Sequence, residues 1–214
     1  MPKNAAYTIT TKPFGQFEQL CINHQSGSGF AVIPGYGAVL NKLVLVKNEV
    51  ACSVIDGHTT DTVLLENQWF RSAKLTPFPN RVNNGRYSFM GQPYQLPVNF
   101  AAQRHAIHGL VFNLPFTCTG SNISGKTALV TLQLHYTGNI QGYPFPFLLQ
   151  IEYAIEEQNR FICTTTFTNT GKTSLPFADG WHPYFTLGSK TVNQLQLQLP
   201  ACKELQTNQM QIPT

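Results

Sequence analysis

Charged side chains are scarce in this 214-residue chain. Asp, Glu, Lys and Arg together make up 11%, against roughly 25% in an ordinary soluble domain. Fourteen basic and 10 acidic residues leave a formal charge of +4, and Lys and Arg nowhere form a run. The clustered basic stripe of a nucleic-acid binder is therefore absent. The carboxylates are too scattered to pick out the paired acids of a glycosidase. Cysteine is sparse as well: five residues, at positions 21, 52, 118, 163 and 202, with no Cys-x-x-Cys pair. An odd, dispersed set is neither a disulfide framework nor a zinc signature. In settings such as Phe161-Ile162-Cys163-Thr164 the thiols are expected to act as small buried hydrophobes, which fits a reducing cytoplasm. No stretch approaches the about 18 apolar residues of a membrane-spanning helix, and Met1 to Tyr7 carry no apolar signal core. A cytoplasmic protein without a membrane partner is expected. A Gly-x-Ser-x-Gly elbow and a phosphate-cradling glycine loop are missing too. So are low-complexity linkers, charge blocks and fixed-period repeats, and residues 1–214 are expected to form one domain.

Apolar residues are plentiful, at 42%, and they recur in short runs rich in Val, Ile, Leu, Thr, Phe and Tyr. Gly, Pro and Asn bound these runs, which is the signature of strands and turns. The pattern predicts strands over 17–23, 29–33, 39–46, 49–56, 86–90, 92–95, 128–136, 147–156 and 160–169. Thr131-Leu132-Gln133-Leu134-His135-Tyr136 changes sides at every step, so one face should be buried. Leu195-Gln196-Leu197-Gln198-Leu199 alternates likewise. Glu157-Gln158-Asn159-Arg160 reads as a hairpin tip. Fourteen prolines and 16 glycines interrupt the chain too often for long helices; one short helix is predicted near 65–74. Strands at this spacing predict an all-β fold, a large antiparallel β-sandwich. Gln, Asn, Thr and Ser supply the polar surface, which suits neutral polar ligands such as sugars.

Three segments carry residue types suited to chemistry. In Thr76-Pro77-Phe78-Pro79-Asn80-Arg81 a proline-rich connection leads to Arg81. Its guanidinium either presents donors to ligand oxygens or pairs with backbone carbonyls. In Arg104-His105-Ala106-Ile107-His108-Gly109, Gly109 allows a tight turn just after His108. That turn either aims the imidazole into a cleft or leaves it solvated. Two histidines three apart in a loop lack the fixed face of a helical pair, and no Cys or acid lies near them, so no metal site is expected. In Asp179-Gly180-Trp181-His182-Pro183-Tyr184-Phe185 an ionisable ring sits among aromatics. It serves either acid–base chemistry next to a sugar or an aromatic core. Asp179 either orients a donor or caps a turn.

Taken in order, these pieces resemble the aldose 1-epimerase family, whose fold is the galactose mutarotase-like supersandwich. The resemblance rests on Pro79-Asn80-Arg81-Val82, Gly85, Gly91-Gln92-Pro93-Tyr94-Gln95-Leu96, Asn99, Ile107-His108-Gly109, Gly142-Tyr143-Pro144 and Gly180-Trp181-His182-Pro183-Tyr184-Phe185. It implies interconversion of hexose anomers without cofactor or metal. By position Arg81 and Asn80 would bind the sugar, His108 would bind or polarise it, Trp181 would pack against it, and His182 would be the acid. The partner is a hexose or, in a close variant, a hexose phosphate held by further arginines such as Arg71, Arg86 or Arg104. A different class is a carbohydrate-binding module without catalysis. The family's base is a glutamate late in the sequence, and this chain reads as stopping before it, at Gln211-Ile212-Pro213-Thr214. The expected sandwich is accordingly incomplete at its C-terminal end. Glu204 precedes that turn and is not assigned as the base.

Overall fold

The computed structural model describes residues 6–188, 190–200 and 203–214. Two antiparallel sheets carry the fold. In the first, β1 (Tyr7–Phe14), β2 (Phe17–His24), β3 (Gly29–Ile33), β4 (Val39–Lys47) and β5 (Val50–Ser53) pair in sequence order. A long connection follows. It contains α1 (Asp61–Glu66), β6 (Arg81–Val82), the hairpin of β7 (Arg86–Phe89) and β8 (Gln92–Gln95), and β9 (Ala106–Ile107), which pairs with β6. The second sheet is β10 (Thr117–Ser124), β11 (Thr127–Tyr136), β12 (Phe147–Glu156) and β13 (Arg160–Asn169), again in order.

Period-two patterning builds the core. Ala128, Val130, Leu132, Leu134 and Tyr136 of β11 are buried. The register sets them opposite Ile155, Tyr153, Ile151, Leu149 and Phe147 of β12, which are buried as well. A one-residue slip of either strand would turn its row to solvent, so the register is strongly specified. Tyr7, Ile22, Phe30, Val32, Leu40 and Leu43 of the first sheet join the same cluster, as sheet-on-sheet packing requires. Each fully buried large side chain contributes about 1.5–3 kcal/mol. The Tyr153 hydroxyl crosses between the sheets and donates to the Ala38 carbonyl at 3.1 Å, which satisfies its one polar atom in the core. Burial holds its pKa well above the usual phenol value.

Several expectations need correction. The helix lies at Asp61–Glu66 rather than 65–74. The Thr60 hydroxyl caps it by accepting from the Val63 amide, and Asn67 ends it in a left-handed conformation. Phe70 and Ser72 also have positive φ, so the helix cannot run on. The alternating leucines at 195–199 form no strand; Leu197 and Leu199 are exposed, and among the described residues no strand pairs with them. The cysteines are not uniformly buried: Cys21 is, Cys52 and Cys163 are half-buried, and Cys118 is exposed on the edge strand β10. Cys202 lies outside the described residues. Strands β1 and β10 add to the predicted set; their sequences are mostly polar and give little alternation to read. Among the described residues no helix is long and apolar enough to cross a membrane.

Candidate functional site

The long connection and the returning segment 178–186 meet edge to edge. Ala178 donates its amide to the Pro77 carbonyl (2.8 Å), Leu75 to Gly180 (2.9 Å), His182 to Ala73 (3.0 Å) and Ser72 to His182 (2.8 Å). On the other side of 72–77, Leu110 donates to the Thr76 carbonyl (2.8 Å). A Cβ on Gly109, where φ is +78°, would sit 2.3 Å from that same oxygen. Only glycine fits this approach. Both histidine-bearing segments are thus stitched to one stretch of backbone, 72–77.

The stitching brings the rings of His108 and His182 to a centroid distance of 5.2 Å, edge to face. Phe70 packs edge-on against His108 at 4.7 Å, and Tyr184 lies nearly parallel to His182 at 5.4 Å. Arg81 arrives through β6, whose pairing with β9 sets it opposite Ile107. Its Nε donates to Gln103 Oε1 (3.0 Å), its Nη1 to Asn80 Oδ1 (2.9 Å), and its Cζ stands 5.7 Å from the Phe100 ring centre. These contacts hold the guanidinium in one pose, with donors in fixed directions. Asn80 also contacts His108 twice: the His108 amide donates to the Asn80 carbonyl at 2.9 Å, and the Asn80 amide donates to His108 Nδ1 at 3.3 Å.

That last bond sets the tautomer. A ring nitrogen that accepts an amide proton carries none of its own, so neutral His108 bears its proton on Nε2. Burial lowers the His108 pKa to about 4, and the nearby His182 and Arg81 act in the same sense. At neutral pH His108 is therefore an uncharged hydrogen-bond donor. Phe70, Asn80 and His108 all have positive φ, and such strain in non-glycine residues tends to gather where the chain must aim side chains.

Of the residues singled out from sequence, Asn80, Arg81, His108 and His182 come together. Trp181 does not join them. Strand-like alternation turns it to the opposite side of its segment, where it packs on the core and its Nε1 donates to the Ser72 carbonyl at 3.1 Å. There it lines a cleft of about 710 Å³ with Lys74, Cys163, Thr165, Asp179 and Phe185; the two histidines do not line that cleft. Asp179 neither caps a turn nor reaches a histidine. Its carboxylate accepts from Lys74 Nζ (2.9 Å) and from Thr76 Oγ1 (2.5 Å). Arg71 is engaged with Asp56 at 3.3 Å, whereas Arg86 and Arg104 line a cleft of about 550 Å³ with Asn84, Gln95, Val98 and Ala101. Phe70 and Gln103 escape a reading of the sequence. A Trp-Phe pair just beyond the helix is a weak signal for the first, and an amide in a polar loop gives none for the second. Among the described residues no three His, Cys, Asp or Glu side chains gather as a metal site.

Residues 18–214 match the model of the aldose 1-epimerase family. An uncharacterized protein of Escherichia coli K12, YihR, is 33% identical over 127 residues, which is 59% of this chain and 40% of YihR. A second uncharacterized protein of that strain, YphB, is 28% identical over 151 residues, 67% of this chain and 49% of YphB. The chain thus corresponds to less than half the length of either relative. Among solved structures, a galactose mutarotase-like protein from Clostridium acetobutylicum superposes with a TM-score of 0.85 at 18% identity, over 99% of this chain and 64% of that one. A Caenorhabditis elegans aldose epimerase homologue gives 0.74 at 18% identity, over 97% and 60%. At that identity the structures establish the fold, a galactose mutarotase-like β-sandwich.

Proposed function

The chain belongs to the aldose 1-epimerase family, and from that premise we propose that it acts in interconverting the α and β anomers of a hexose by acid–base ring opening. The observation that carries this reading is the pair of imidazoles packed together, flanked by a braced arginine. Arg81 and Asn80 hold sugar hydroxyls. Neutral His108 donates its Nε2 proton as a hydrogen bond to another sugar oxygen. His182 passes a proton to the ring oxygen as the bond from C1 to that oxygen breaks. A base takes the proton of the anomeric hydroxyl, and an open aldehyde results. Rotation about C1–C2 and closure on the other face reverse each transfer and give the other anomer. Both proton carriers change state twice per turnover and end as they began, so no cofactor is consumed. The resemblance assigns the base to a late glutamate. Glu204, the one acid after His182, lies exposed in irregular chain and is not given that role.

Polarimetry of freshly dissolved α-D-glucose and α-D-galactose tests the proposal, with the buffer rate subtracted. Acceleration that falls by about 10²-fold or more in His182→Ala supports it. A folded chain that neither accelerates the decay nor shows sugar-induced shifts of its histidine resonances rejects it. Shifts without acceleration favour the carbohydrate-binding reading. The hexose-phosphate variant rests on Arg86 and Arg104, which line one cleft whose lining holds no acid. Faster turnover of the phosphorylated sugar, abolished in Arg104→Gln, would support that variant.

A further inference from the structure

Lys74 is the one buried lysine among the described residues, with 3% of its side chain exposed. A buried ammonium is unfavourable unless it is paired and hydrogen-bonded. Here it is both: Nζ donates to Thr165 Oγ1 of β13 at 2.8 Å and to Asp179 Oδ2 at 2.9 Å. The other Asp179 oxygen accepts from Thr76 Oγ1. One ion pair therefore joins three pieces far apart in sequence: the second sheet, the 72–77 stretch, and the segment that ends in His182. Thr76 is also the residue whose carbonyl holds the His108 side through Leu110.

We propose that Lys74 and Asp179 are positioning residues that set His182 at its working distance from His108. A buried ion pair is a poor source of stability compared with apolar packing, but its directional bonds select one register. The backbone bonds between 72–77 and 178–182 form a ladder that could slide or splay without a side-chain lock. Asp179 lies three residues before His182 and is bonded from two directions, so it supplies that lock. Neither residue touches the imidazoles; they act through the backbone between. The placement of the two rings depends on geometry alone, and only its catalytic consequence rests on the mutarotase reading.

The test uses the full chain with Lys74→Met, Asp179→Asn and the double variant Lys74→Met/Asp179→Leu. The double variant removes both charges and leaves neither unpaired. Proton NMR follows the proximity of the His108 and His182 rings through their cross-relaxation. Cross-relaxation between Phe147 and Phe167, whose centroids are 4.7 Å apart, reports that the core is intact. The expected result is a double variant whose phenylalanine rings stay together while its histidine rings move apart, with His108 titrating closer to 6.5. In the mutarotation assay kcat should fall roughly 10²-fold with little change in KM, as a displaced catalytic group causes. Lys74→Arg, which keeps the charge, should recover most of it. A double variant that keeps both the histidine proximity and the His108 titration overturns the proposal. Where the charge variants do not fold, Thr76→Val and Thr165→Val keep charge and volume; unchanged histidine resonances in both would overturn it equally. A wild-type chain without mutarotase activity would sink the functional reading, while the ring proximity still decides the positioning one.

Discussion

Acid should begin to destabilise this protein before its carboxylates are neutralised, and His58 is an expected cause. Its side chain is buried at 6% exposure. The backbone amide of His58 donates to Asn41 Oδ1 at 2.7 Å, the ring Nδ1 lies 3.3 Å from the same oxygen, and Asn41 Nδ2 donates to the His58 carbonyl at 3.2 Å. Burial lowers its pKa from 6.5 to about 4; the Arg71 guanidinium adds to the fall and Asp56 opposes it. The unfolded chain therefore binds this proton first as pH drops. Stability is full above about pH 6.5, declines from there towards about 4, and changes no further below. At pH 4.5 the loss is about 2–3 kcal/mol, since the unfolded imidazole is almost wholly charged and the folded one mostly neutral. His108, likewise lowered to about 4 by burial, contributes in the same direction over the same window. Urea unfolding at pH 7.5, 6.5, 5.5 and 4.5, followed by tryptophan fluorescence, measures the slope. His58→Gln, which keeps a polar group and loses the titration, should remove about half of it. If wild type and His58→Gln lose stability in parallel, His58 is not the sensor.

Other outcomes follow from the packing. Ile151→Ala removes a fully buried side chain at the centre of the β11–β12 register and should cost about 2–5 kcal/mol, read as a lower urea midpoint with unchanged m. Gly109→Ala drives a Cβ into the Thr76 backbone at a positive φ. A loss of roughly 2–4 kcal/mol is expected, together with altered His108 resonances.

The sandwich is legible because its inner strands obey a simple alternation. In β11 and β12 every second residue is apolar, and burial follows that pattern with little deviation. The edge strand β10, Thr117-Cys118-Thr119-Gly120-Ser121-Asn122-Ile123-Ser124, has almost no buried face. Its strand character comes from pairing with β11 rather than from its own sequence, so period-two reading overlooks it. The leucines at 195–199 fail in the opposite sense: the pattern is there, but no neighbouring strand among the described residues supplies hydrogen bonds. Alternation predicts a face, and it takes a partner to make a strand.

The candidate site depends on the same distinction at longer range. His108 and His182 can be picked out as residue types, each beside a glycine or a proline. Nothing in their local sequence shows that both are fastened to 72–77, which reads as an ordinary loop. The functional asymmetry of the pair is equally non-local. His108 Nδ1 accepts from the Asn80 amide, so a backbone group 28 residues away decides which ring nitrogen carries the proton. Burial then keeps that ring neutral. Under the proposed mechanism this matters more than either histidine's identity. Ring opening needs one steady donor and one group that gives and regains a proton, and two equivalent imidazoles could not divide those roles. The backbone amide makes them inequivalent, which leaves proton transfer to His182 and makes its position, rather than its presence, the quantity the fold has to secure.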